Sequence, residues 1–142
     1  MKITLIGGGK LGKQLYSVCA AASEIELVQW VVRSAERGKT PEGISLVNEV
    51  NELHPADLYL LAVTDQAIPK VAAALPEEAF VAHTAGGVAI EVLNQNRAGV
   101  FYPLQTFSER RNMDFSKLPI GLECKQSTDL PLLKKLVQAL GA

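Results

Sequence analysis

The apolar run Ile3-Thr4-Leu5-Ile6 leads straight into Gly7-x-Gly9-x-x-Gly12, and a helical pattern follows. No other stretch constrains the fold as tightly. A strand that must turn at once into a helix needs glycine where the backbone bends and where two elements touch. Gly7 permits the tight turn, and Gly9 has no Cβ to block a pyrophosphate. Gly12 lets the helix lie close on the strand. The helix N-terminus adds unpaired N–H groups and a partial positive charge. Gly7, Gly9, Lys10, Leu11 and Gly12 are therefore candidate phosphate-holding residues. The bland alternative is a glycine-rich turn that binds nothing. A second alternative overlaps the first, because Gly7 to Lys13 also reads G-x-x-x-x-G-K, the start of a P-loop. That motif needs Ser or Thr next, to place a hydroxyl on magnesium, and here the residue is Gln14.

The chain has 142 residues, the size of one domain with a sizeable core. Its net charge of −1 argues against a nucleic-acid or membrane-binding surface. No apolar run is long enough to cross a membrane. Met1-Lys2 leads directly into a strand and leaves no room for a signal peptide, so a cytoplasmic location is expected. Cys19 and Cys124 lie far apart in no metal-ligand spacing, and no metal is expected.

The first helix carries Leu11, Leu15, Val18 and Cys19 at helical spacing, and Ile25 to Val32 reads as the second strand. An NAD site usually places Asp or Glu near the end of that strand, to accept from the ribose 2′-OH. Here Arg33 and Ser34 stand there. A guanidinium cannot accept a hydrogen bond, but it can clamp a 2′-phosphate. NADP is therefore expected over NAD, against the alternative of a solvated basic loop. Residues 38–43 read as a loop and Ile44 to Val47 as a weak third strand. Leu58 to Val63 is a near-continuous apolar run suited to a buried parallel strand. Ligands of open α/β sheets sit beyond the carboxyl ends of the strands, which places Thr64 and Asp65 beside the cofactor. Asp65 is more often a helix cap than a catalyst. Phe80 to His83 is the next strand, and it delivers His83 and Thr84 to the same edge, before a helix expected from about Val88 to Asn94. His83 is either a hydrogen-bonded structural residue or a group for binding and proton transfer. Val100 to Tyr102 follows, then a polar loop over 109–117, a last strand at Ile120 to Glu123, and a helix capped by Asp129. Gly141 stands where a C-cap glycine belongs. The alternation of β and α segments predicts an α/β fold with a mainly parallel, doubly wound sheet and helices on both faces.

Several segments together resemble a bacterial family of Rossmann-like proteins. They are Gly7-Gly8-Gly9-Lys10-Leu11-Gly12, Ala62-Val63-Thr64-Asp65-Gln66-Ala67-Ile68, His83-Thr84-Ala85-Gly86 and Phe101-Tyr102-Pro103-Leu104-Gln105-Thr106-Phe107-Ser108. Asp114 to Ile120 fits the same pattern. The family is grouped with NADP oxidoreductases and domains of unknown function. It is similar to pyrroline-5-carboxylate reductase and to the deazaflavin-dependent NADP oxidoreductases. Lys10 departs from the smaller polar residue often found there. The resemblance implies a single cofactor domain over residues 1–142, without the helical, dimerising C-terminal domain usual in the family. A homodimer is expected only if such a domain exists, and the substrate is an unidentified small molecule. Two readings follow: the NADP(H)-binding half of an oxidoreductase that does not catalyse alone, or a non-catalytic dinucleotide sensor. His83 and Tyr102 are the candidate proton donors.

Overall fold

The computed structural model describes residues 1–104 and 114–141. The described residues form an α/β fold with one eight-stranded, mostly parallel sheet. The strands are β1 (Lys2–Ile6), β2 (Glu26–Val31), β3 (Gly38–Lys39), β4 (Ser45–Val47), β5 (Leu58–Leu61), β6 (Val81–His83), β7 (Ala98–Pro103) and β8 (Ile120–Cys124). Their order across the sheet is β3-β4-β2-β1-β5-β6-β7-β8. From β4 to β7 every neighbouring pair is parallel, whereas β3 and β8 run antiparallel at the two edges. Among the described residues the α-helices are α1 (Lys10–Ala21), α2 (Ile68–Ala73) and α3 (Leu130–Ala139).

Successive strand residues point to opposite faces of a sheet, and the apolar residues sort accordingly. Ile3, Leu5, Leu58 and Leu60 share one cluster with Leu15 and Cys19 of α1 and Leu133 and Leu136 of α3. Ile6, Tyr59, Leu61 and Val81 share another with Ile68 and Ala72 of α2. A strand needed on both sides has to be apolar throughout, which explains the unbroken run Leu58-Tyr59-Leu60-Leu61. Burial pushes the Cys19 thiol up to about 12, so this cysteine behaves as a small hydrophobe.

Polar side chains tie the connections down. The Gln95 amide, fully buried, donates to the carbonyl of Ala72 at 2.7 Å and so closes the end of α2. Lys125 donates to the carbonyls of Leu93 and Gln95. Arg97 donates to the buried Asp129 at 2.9 Å and lies over the Phe80 ring.

Three local expectations change. The helix expected near 88–94 is a single 3₁₀ turn, Ile90–Val92. The β-branched Val88, Ile90 and Val92 favour helix weakly, and Ile90 and Leu93 are the residues that bury there. The loop over 38–43 contains β3, folded back on β4 through Thr40-Pro41-Glu42-Gly43. In that turn Gly43 donates to the Thr40 carbonyl at 2.8 Å, and proline sits at the second position as a tight turn prefers. Asp129 makes no side-chain cap on α3, because its carboxylate accepts from the Arg97 guanidinium. Gly141 does end α3 as expected, with φ +82° and its N–H on the Gln138 carbonyl. Gln105 to Met113, which include part of the family-like segment and of the expected polar loop, lie outside the described residues.

Candidate functional site

Strand order reverses at β1: β2 and β4 lie to one side of it, β5, β6 and β7 to the other. The crevice beyond the carboxyl ends at such a reversal is the expected ligand position in an open α/β sheet. Gly7 follows β1 directly at that edge.

The glycines of the loop have different causes. Gly7 has φ +131°, and a Cβ there would sit 2.1 Å from the Ala62 carbonyl oxygen. A Cβ on Gly12 would sit 2.3 Å from the Gly7 oxygen, and one on Gly8 would sit 2.5 Å from Val32. These three are glycine because protein occupies the space. Gly9 is different. Its backbone is extended at φ −77° and ψ −164°, and beyond its own chain neighbours none of the described residues comes within 4 Å of its Cβ position. No contact among the described residues explains a glycine there.

Gly9 is also the N-cap of α1, whose first turn holds no acidic residue. Lys10 is exposed, Leu11 half-buried and Gly12 buried. The unpaired N–H groups of this turn thus meet the basic Lys10 and Lys13, a setting for an anion. Ala35 donates back to the Val32 carbonyl at 3.1 Å, closing a turn with Arg33 and Ser34 as its exposed central residues. The close approach of Val32 to Gly8 seats that turn beside the glycine loop.

Thr64 and Asp65 are exposed beyond β5. Thr64 is the N-cap of the 3₁₀ turn Asp65–Ala67 without a side-chain cap hydrogen bond, and Asp65 stands in the first turn. Thr84 is buried, and its hydroxyl donates to the Leu61 carbonyl at 2.9 Å, binding the end of β6 to β5. His83 has no exposed surface. Its Nδ1 accepts from the Ala85 N–H at 3.1 Å, which leaves the proton on Nε2, a buried atom with no hydrogen-bond partner among the described residues. Burial pushes the imidazole below its ordinary value. The carbonyls of Ala89 and Val88 and the charges of Asp65 and Glu123 oppose this. His83 is therefore neutral at neutral pH and fixed in the wall of the site. Tyr102 is half-buried, with its ring across Gly86, where a Cβ would meet Cε2 at 2.2 Å. Register places His83 opposite Val100 on β7, so His83 and Tyr102 share one face two residues apart.

Sequence reasoning missed two residues. Gly8 carried no motif signal, since its cause is the Val32 side chain. Trp30 donates from Nε1 to the Gly7 carbonyl at 2.8 Å. Its one visible mark was being the single tryptophan of the chain. An open groove of about 530 Å³ lies at the opposite, amino-end edge, lined by Asp57, Arg97, Asp129 and Lys135 among others. It shares no residue with the glycine loop. Among the described residues no cluster of His, Cys, Asp and Glu could hold a metal ion. No described helix is long and apolar enough to cross a membrane.

No protein-family model and no curated protein matches the chain. Solved structures do. A Bacteroides fragilis protein named "putative NADP oxidoreductase" is 28% identical, with a TM-score of 0.77 over 98% of this chain and 57% of its own. Plasmodium falciparum pyrroline carboxylate reductase, solved with NADP bound, is 14% identical with a TM-score of 0.73, over 99% of this chain and 56% of its own. Prephenate dehydrogenase of A. aeolicus, solved with NAD⁺, is 15% identical with a TM-score of 0.73, over 99% of this chain and 58% of its own. The last two speak for the fold alone. The chain thus spans little more than half the length of these structures, and its structural neighbours are NADP oxidoreductase-like Rossmann proteins, as the motif resemblance implies.

Proposed function

We propose that this chain is an NADP(H)-binding domain of an oxidoreductase, built on a doubly wound sheet. The observation that carries the reading is the empty space over Gly9, at the head of α1 and beside the strand-order reversal. A glycine that no contact among the described residues requires, at the point where unpaired N–H groups converge, fits a pyrophosphate. The oxidoreductase name of the 28% identical neighbour favours this reading over a sensor.

In this reading Gly7, Gly9, Lys10, Leu11 and Gly12 hold the pyrophosphate, and Arg33 and Ser34 hold the 2′-phosphate. Thr64 and Asp65 flank the ribose and nicotinamide side. Thr84 and His83, both buried, shape the wall rather than exchange protons with a ligand. Tyr102 is the more accessible of the two proton-donor candidates. The nicotinamide supplies the hydride chemistry, and the chain binds and orients it. Hydride transfer also needs a second surface that orients the substrate, and we place that surface outside these 142 residues.

Arg33 gives the test. A charge-assisted phosphate contact contributes roughly 1.5–3 kcal/mol, or about ten- to a hundredfold in affinity. Calorimetry is expected to find NADP bound more tightly than NAD, and Arg33→Ala to remove most of that difference. Equal affinities of the parent protein for the two dinucleotides would refute the 2′-phosphate assignment.

A further inference from the structure

Trp30 lies on β2, beneath the glycine loop. Its indole N–H donates to the Gly7 carbonyl at 2.8 Å. The same carbonyl oxygen lies where a Cβ on Gly12 would come within 2.3 Å of it, so it points down toward α1 and β2. This orientation matters at an anion site. The Gly7–Gly8 peptide has glycine on both sides, so no Cβ fixes which way its carbonyl faces and a hydrogen bond has to do so. If it turned, a carbonyl oxygen would face the phosphate and an N–H would be lost from the cradle.

The indole is itself braced. Tyr16 of α1 stacks on it with ring centroids 4.2 Å apart and planes 15° apart. The Tyr16 hydroxyl bonds to Thr40 at 2.7 Å and donates to Glu42, both in the turn between β3 and β4. A column of contacts therefore runs from that turn, through two rings, to one carbonyl of the phosphate loop. Packing alone would be served by any large apolar residue at position 30. The donor reaching the loop is what tryptophan adds.

We propose that Trp30 is a positioning residue of the dinucleotide site, holding the Gly7 carbonyl away from the pyrophosphate, with Tyr16 as its brace. The proposal rests on the dinucleotide reading above. It predicts a split between ligands. Trp30→Phe keeps an aromatic ring but removes the donor, and should weaken NADP binding about three- to tenfold. It should leave unchanged the binding of 2′-AMP, which carries the phosphate for Arg33 and Ser34 but no pyrophosphate. Tyr16→Phe keeps the stack and loses only the hydroxyl contacts, so its effect on NADP should be smaller. The parent protein supplies a check that needs no variant. The indole N–H resonance of the single tryptophan should shift on saturation with NADP and stay in place with 2′-AMP. Parental NADP affinity in Trp30→Phe, equal loss of both ligands, or an indole resonance unmoved by bound NADP would each overturn the proposal. A parent protein that binds no dinucleotide would overturn the underlying reading instead.

Discussion

Gly9→Val is expected to abolish dinucleotide binding and leave the protein folded. The extended backbone at Gly9 is open to any L-residue, and beyond its chain neighbours the new Cβ meets no atom of the described residues within 4 Å. The cost to the fold is that of a poorer N-cap, about 1 kcal/mol, which for a domain of this size lowers Tm by about 2–4 °C. The cost to binding is far larger, because the valine fills the space assigned to the pyrophosphate. NADP affinity should fall beyond calorimetric detection while the thermal unfolding curve stays cooperative. A variant that binds NADP like its parent would show that the pyrophosphate does not pass over Gly9.

A smaller exchange two residues earlier should have the opposite outcome. Gly7→Ala places a methyl group 2.1 Å from the Ala62 carbonyl oxygen, at a φ of +131° that L-residues avoid. Both faults act on rigid backbone between two central strands, so neither relaxes cheaply. Strain and clash together should cost more than about 3 kcal/mol, a large share of the stability of an ordinary domain. The expected result is a Tm lowered by about 6–12 °C or a protein that does not fold. A Tm within the error of the parent would mean that β1 and β5 do not approach as described. The pair Gly9→Val and Gly7→Ala thus separates a glycine kept for a ligand from one kept for packing.

Much of this was legible in the sequence because the signals are short-range. Ile3 to Gly12 names a strand, a turn and a helix within ten residues, and the unbroken apolar run at Leu58 fits a strand covered on both sides. The Arg33-Ser34 turn was legible for the same reason, as the end of an apolar run. What escaped depends on distant partners. Gly8 is glycine because of Val32, and the Trp30 indole finds Gly7 across 23 positions of chain. Asp129 reads locally as a cap, but Arg97, 32 residues away, takes its carboxylate. His83 reads as a group at the open edge of the sheet, and only the packed structure reveals that it has no exposed surface. The 3₁₀ turn at Ile90–Val92 shares its apolar spacing with a helix, so periodicity could not separate them.

The central claim is that a dinucleotide binds at the carboxyl ends of the strands, across the glycine loop. The most direct measurement is an NMR titration of the ¹⁵N-labelled protein with NADP, followed at each backbone amide. The expected result is a cluster of shifted amides at Gly7 to Gly12, Arg33, Ser34, Thr64 and Asp65. The amino-end groove around Asp57, Arg97, Asp129 and Lys135 should stay silent. Shifts confined to that groove, or no shifts at saturating NADP, would contradict the account.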